Sequence, residues 1–160
     1  MKNILICIDC FEPAYKFGGP IKSVKNLILK FKDEFNFYVF TSNLDSGENL
    51  DLPKNELDTW LIRNGYNIYY SSNDSLIKKK YNDIFSVCSF DAIYLNSFFS
   101  FNYSLRCLMY FRNKKNKIIL APRGMLAPGA LSIKPIKKKL FLFLFKLLKL
   151  HKKVLWHATS

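Results

Sequence analysis

The sequence predicts an α/β fold built on a doubly wound parallel sheet. Three observations carry this expectation. Short apolar runs recur along the chain, each the length of a strand buried on both faces. Segments with apolar residues at helical spacing lie between them. Glycine and proline gather in the loops that join the two kinds of segment. Such alternation marks a parallel sheet whose crossovers are helical.

The first run is Asn3-Ile4-Leu5-Ile6-Cys7-Ile8, read as strand one. A loop from Asp9 to Gly19 follows, with Pro13 and the pair Gly18-Gly19. Pro20 stands at a first-turn position, where its missing N–H costs nothing. Ile21, Val24, Leu27, Ile28 and Phe31 then repeat at helical spacing, with Lys22, Lys25 and Lys30 on the other face. Asn36 to Thr41 is a second strand. Residues 42–66 are polar, contain Gly47, Pro53 and Gly65, and read as one long loop. Asn67 to Tyr70 is a third strand. Ser72-Asn73-Asp74 offers a cap for a helix that turns Ile77, Tyr81, Ile84 and Phe85 inward. Phe90 to Leu95 is a fourth strand, followed by a helix from about Phe99 to Phe111. Lys117 to Ala121 is a fifth, residues 134–152 form a basic helix, and Val154 to Ala158 is a sixth. The expected sheet therefore has about six strands, with helices on both faces.

The chain has 160 residues, the size of one domain, and no internal repeat. With 49% hydrophobic and 16% aromatic residues it has the means to build a core. The net charge of +13 is unevenly placed. Residues 1–110 hold 12 Lys+Arg and 12 Asp+Glu, whereas residues 111–160 hold 13 Lys+Arg and no acid. A one-sided basic region is either a solvated lysine face or an attractor of phosphates, nucleic acid or anionic lipid. Cys7 and Cys10 have CxxC spacing but end a strand instead of opening a helix, and no second CxxC completes a zinc site. Reduced thiols at Cys7, Cys10, Cys88 and Cys107 are expected. The N-terminus lacks the pattern of a signal peptide. No stretch of about 18 uncharged apolar residues exists to span a bilayer. The sequons at Asn73 and Asn102 therefore carry no weight. A cytoplasmic location follows as the expectation, with peripheral contact at the inner face of the cytoplasmic membrane left open.

In a doubly wound sheet, ligands bind beyond the carboxyl ends of the strands, near the switch in strand order. Gly18-Gly19, Asn96-Ser97 and Arg123-Gly124-Met125 fall at such ends. Two glycines before a helix let a backbone approach an anion closely, or simply make a tight turn. GxGxxG is absent, which argues against a dinucleotide cofactor. Tyr15 and Lys16 in the same loop offer an aromatic face and a cation. Arg123 is a fixed cation with a forked donor set suited to phosphate or carboxylate, or else a surface arginine on a turn. His151 and His157 lack a local Asp or Ser partner and read as structural.

Five segments occur in order: Phe11-Glu12-Pro13, Gly18-Gly19-Pro20-Ile21, Tyr94-Leu95-Asn96-Ser97-Phe98-Phe99-Ser100, Ala121-Pro122-Arg123-Gly124-Met125-Leu126 and Trp156-His157-Ala158-Thr159-Ser160. Together they resemble the N-terminal half of bacterial family-4 glycosyltransferases from polysaccharide and lipopolysaccharide gene clusters. The resemblance implies a GT-B fold, of which residues 1–160 would be the N-terminal, acceptor-side Rossmann-like domain. It implies a retaining, metal-independent transfer from a nucleotide sugar to a saccharide or lipid-linked acceptor. It assigns Gly18 and Gly19 to the donor diphosphate, and Asn96, Ser97, Arg123, Gly124 and Met125 to the acceptor side, where Tyr15 and Lys16 are also expected.

Two departures from the family matter. Many relatives carry a His after strand four or five, where this chain has Asn96-Ser97 and Pro122-Arg123-Gly124. The C-terminal donor-binding domain of the family is also absent from the sequence, so the fragment alone is expected to be inactive or very weak. No catalytic residue is assigned, and neither a metal nor a nucleic-acid partner is expected. The rival reading is a non-enzymatic basic domain that binds an anionic partner, membrane lipid or nucleic acid. On either reading, residues 134–153 are a candidate contact with an anionic membrane surface.

Overall fold

A computed structural model describes residues 1–72 and 77–158, with the backbone alone from 77 to 80. The strands are β1 (Lys2–Cys7), β2 (Phe35–Ser42), β3 (Leu44–Asp45), β4 (Glu48–Asn49), β5 (Trp60–Arg63), β6 (Tyr66–Ser71), β7 (Ala92–Leu95), β8 (Lys117–Leu120) and β9 (Leu155–Trp156). The helices are α1 (Gly19–Phe31), α2 (Ile77–Phe85), α3 (Cys107–Phe111), α4 (Pro128–Ser132) and α5 (Pro135–Leu147). Seven strands form one sheet in the order β5-β6-β2-β1-β7-β8-β9. All neighbours are parallel except β5 against β6. Counted along the chain, the six parallel strands run 3-2-1-4-5-6, the doubly wound order. The direction of winding reverses between β1 and β7.

Alternation of side chains divides the core in two. Leu5, Cys7, Phe40, Ile93, Leu95, Ile118 and Leu120 face one side, under α2, α3 and α5. Ile6, Ile8, Phe37, Val39, Ile68, Tyr94 and Ala121 face the other, where α1 packs Ile21, Val24 and Ile28. Helices thus flank both faces, but unequally. Beside α1, an open apolar trough of about 420 Å³ runs along the sheet past Ile4, Ala92, Tyr94, Ile119 and Leu155 to His157.

Several sequence expectations change. Residues 42–66 are not one loop. They hold two tight hairpins, β3–β4 about Ser46-Gly47 and β5–β6 about Asn64-Gly65. All four turn residues have positive φ (56°, 92°, 49° and 84°), as the two-residue turn that matches strand twist requires. The second hairpin adds the antiparallel edge strand, so the sheet has a seventh member. The helix expected over 99–111 opens as a π-helix, Phe101–Arg106, before α3. Its wide first turn begins where Leu105 N–H donates to Ser100 C=O and Tyr103 N–H donates to Ser100 Oγ. The basic helix expected over 134–152 is α5 followed by a separate 3-10 turn, Leu150–Lys152. The two are divided at Lys149, which is left-handed at φ 53°. The last strand is shorter than expected and ends at Trp156. Tyr81, Ile84 and Phe85 of α2 are buried as the pattern demands. The Asn73-Asp74 part of the expected cap, the Ile77 side chain and Thr159-Ser160 lie outside the described residues.

Phe40 is fully buried, with ring centroids of Tyr69, Tyr81, Phe85 and Tyr103 at 5.1–6.0 Å. Phe40→Ala should therefore cost about 3–5 kcal/mol, as expected for a large-to-small change in a filled core. Ile136→Ala, at a side chain 81% exposed, should stay within about 0.5 kcal/mol of the wild type. Urea unfolding of both variants checks the pair. A near-neutral Phe40→Ala would contradict the packing described.

Candidate functional site

The carboxyl ends of β1, β7, β8 and β9 lie along one edge of the sheet, and the strand order reverses between β1 and β7. The loop after β1 is fixed from its far side. Tyr15 and Lys16 donate their backbone N–H groups to the buried Asp45 carboxylate at 3.0 and 3.1 Å. Lys16 Nζ pairs with Glu48 at 2.5 Å, and this hydrogen bond raises the ammonium pKa. The cation expected to face a ligand is thus engaged by β4, while the Tyr15 ring is left exposed. The loop then turns through Gly18, whose φ of 55° and ψ of −105° suit a residue without Cβ. α1 begins with no side-chain cap. A Cβ placed on Gly18 or Gly19 would meet nothing within 4 Å, so this turn is open on its outer side.

The loop after β8 is bent back over the same edge. Met125 N–H donates to Pro122 C=O at 3.0 Å across a turn whose centre is Arg123 and Gly124, at φ 53° and 73°. Glycine accepts that conformation freely. Arginine does so at a cost of roughly 1–2 kcal/mol. Such strain persists only where the surroundings hold it. Here they do. Arg123 Nη2 donates to Asn96 Oδ1 at 2.6 Å, and Nη1 donates to Ser23 Oγ of α1 at 3.0 Å. Arg123 Nε is buried and has no hydrogen-bond acceptor among the described residues. The forked group therefore bridges the end of β7 and the early turns of α1.

Asn96 and Ser97 lie beneath this surface. Both are buried. Asn96 N–H continues the sheet by donating to Cys7 C=O at 2.9 Å, leaving its side-chain oxygen for Arg123. Ser97 Oγ and Phe98 N–H both point to Met125 Sδ, at 3.5 and 3.4 Å. Deeper still, Ser100 Oγ donates to Asp9 Oδ1 at 2.5 Å and ties the loops after β1 and β7 together.

The sequence-predicted residues thus fall into two groups. Asn96, Ser97, Arg123, Gly124 and Met125 form one connected wall, joined to α1 just beyond Gly18 and Gly19. Tyr15 and Lys16 are held by the β3–β4 hairpin, and no hydrogen bond or ion pair among the described residues links them to that wall. Three further members were not expected at the site from the sequence. Ser23 is the helix partner of Arg123. Tyr94 OH lies 3.4 Å from Arg123 Nη2 and 2.8 Å from His157 Nδ1. The phenol thus links the guanidinium to the imidazole. His157 sits just past β9 and is exposed, so its place at a strand's carboxyl end was the available signal.

Cys7 and Cys10 do not resemble a reactive pair. Burial raises both thiols, and Cys107 adds to the effect at Cys7. All four cysteines are free.

Comparison with family models, with curated proteins and with solved structures finds no match to this chain. Its class therefore rests on the architecture: an α/β protein with a mostly parallel seven-stranded sheet, and a polar, arginine-centred wall at the carboxyl edge.

Burial pushes the Tyr94 phenol up, and the Arg123 guanidinium pulls it part of the way back. Arg123→Leu removes the opposing charge, so the Tyr94 titration should move to higher pH. ¹³Cζ-tyrosine NMR measures it directly. An unmoved or lowered Tyr94 titration would mean the guanidinium does not sit against this ring.

Proposed function

We propose that this chain is the acceptor-side, N-terminal Rossmann-like domain of a GT-B glycosyltransferase. In that role it takes part in retaining transfer of a sugar from a nucleotide-sugar donor to a saccharide or lipid-linked acceptor, in cell-surface polysaccharide or lipopolysaccharide synthesis. The five ordered segments that resemble family-4 enzymes support the reading. So does the doubly wound order, whose switch point is the general ligand site of such sheets. The observation that carries it is Arg123, held in a left-handed conformation by Asn96 and Ser23 beside the uncapped start of α1.

The chemistry follows from charge. Departure of a nucleoside diphosphate builds negative charge on its oxygens. An open turn at Gly18-Gly19 admits those oxygens to the backbone N–H groups at the start of α1. Arg123, which the resemblance places on the acceptor side, is bonded to Ser23 of the same helix, so we give its guanidinium this further role: already oriented, it would stabilise that charge with little reorganisation. The donor sugar and nucleotide would be gripped mainly by a second domain, and closure of the two would exclude water. Asn96, Ser97 and Met125 act here as the bracing of the acceptor wall. No side chain is assigned as catalytic.

Two measurements test the proposal. Inorganic pyrophosphate titrated into the isotope-labelled chain should shift the Gly18, Gly19 and Ser23 amides. Arg123→Ala should weaken that binding about tenfold, the scale of one charge-assisted hydrogen bond. Gly19→Val is the cleaner loop variant, because a side chain there meets open space and the fold should survive. It should block the approach of the anion. Equal pyrophosphate affinity in all three proteins would remove the phosphate role from this edge. Separately, the chain alone should release no sugar from a panel of nucleotide sugars. Steady turnover would show that a second domain is not needed.

A further inference from the structure

α5 is inverted relative to an ordinary surface helix. Its inner side carries Phe145, buried, with Phe141 and Leu142 half-buried against Phe98 and Phe99. Lys138 belongs to this inner side, since its Nζ donates to Ala130 C=O and lies 5.2 Å from the centroid of the Phe99 ring. The opposite side should then be polar. Instead Ile136, Leu140, Phe143, Leu144 and Leu147 occupy it, and each is between 45 and 81% exposed. The spacing 136, 140, 143, 147 makes one stripe, about 16 Å long at 1.5 Å per residue.

Cations frame the stripe. At 100° per residue, Lys137 lies along one border and Lys139 and Lys146 along the other, and all three are exposed. Lys134, Lys149, Lys152 and Lys153 stand exposed at the two ends. Residues 111–160 contain no Asp or Glu to answer them. Two facts constrain what covers this surface. It must accept apolar side chains, and it must be negatively charged at the border of the apolar strip. A second copy satisfies the first condition and violates the second, because it would set these lysines against their own counterparts. α5 has 13 residues, too few to cross a bilayer of about 30 Å. Among the described residues no helix is long and apolar enough to do so. A helix lying in the plane of an anionic lipid surface meets both conditions. Its apolar side enters the acyl boundary and its flanking lysines stay among the headgroups.

We infer that α5 docks this chain onto an anionic membrane surface through Ile136, Leu140, Phe143 and Leu147, with Lys137, Lys139 and Lys146 on the lipid phosphates. The inference stands on the helix alone and does not depend on the glycosyltransferase reading. The docked side points away from the core, so variants there leave the fold intact.

The test is co-sedimentation of the full 160-residue chain with vesicles of phosphatidylcholine alone, or with phosphatidylglycerol added. Binding should be at least tenfold tighter to the anionic vesicles, and should fall as salt rises from about 0.05 to about 0.5 M. The triple change Lys137→Glu, Lys139→Glu, Lys146→Glu should lower it tenfold or more. The double change Leu140→Gln, Phe143→Gln should do the same with an unaltered circular dichroism spectrum. Phe143→Trp should emit further to the blue on anionic vesicles, which reports insertion as opposed to adhesion. Three results overturn the inference: equal binding to both vesicle types, no effect of the double change, or no vesicle binding with concentration-dependent dimers in ultracentrifugation. The last would assign the stripe to a second copy.

Discussion

Everything in this molecule hangs on a strand that must be apolar on both sides. β1 is hydrogen-bonded to β2 on one edge and β7 on the other. Its side chains leave alternately for two separate cores, Leu5 and Cys7 one way, Ile6 and Ile8 the other. A single charged residue in that run would have no solvated face to turn to. The same constraint fixes where the polar residues appear. No charged residue interrupts β1 after Lys2, and polar side chains gather at the carboxyl ends, where Asp9 meets Ser100 and Asn96 meets Arg123. The crevice at the reversal of strand order is therefore a by-product of burial, and its chemistry depends on which side chains the flanking loops carry.

Within that crevice, one arginine integrates three parts of the fold. Arg123 reaches Asn96 from a neighbouring loop, Ser23 from a helix on the other side of the reversal, and Tyr94 from within the sheet. A lysine could not span these partners, since it lacks the planar fork. The left-handed backbone at Arg123 is accompanied by this set of bonds, which fixes the orientation of the guanidinium. His157 is drawn in through Tyr94, so a group the sequence read as structural borders the same edge.

The parallel strands were legible because short apolar runs and helical spacing are local signals. So was the convergence of Gly18-Gly19, Asn96-Ser97 and Arg123 on one edge, which follows from strand direction alone. The missing strand was also legible in principle. Asn64-Gly65, with Trp60 to Arg63 before it and Tyr66 to Ser71 after it, is a hairpin signal, masked by reading the surrounding polarity as loop. The partners of Arg123 were not legible. They lie 27 to 100 residues away, and pairings at that distance depend on rotamers, which sequence spacing does not encode. Nor could composition say which side of α5 faces outward. Apolar residues occur all round it, and only the position of the sheet decides that Phe145 is covered while Phe143 is not.

The strand order has a consequence in time. β1, β2, β5 and β6 all lie within the first 71 residues and form one continuous half of the sheet. On a ribosome that half can assemble before the rest exists. One side of it is sheltered early, because α1 belongs to the same stretch of chain. The other side, with Leu5, Cys7, Phe40 and Tyr69, waits for α2 and α3, which are complete only at residue 111. At about 5–20 residues per second the interval is on the order of a few seconds. During it, a nascent chain presents a bare aromatic sheet to the cell. The newborn protein is thus lopsided in a way the finished one is not, and the period of greatest risk in its life comes before it has its full complement of helices.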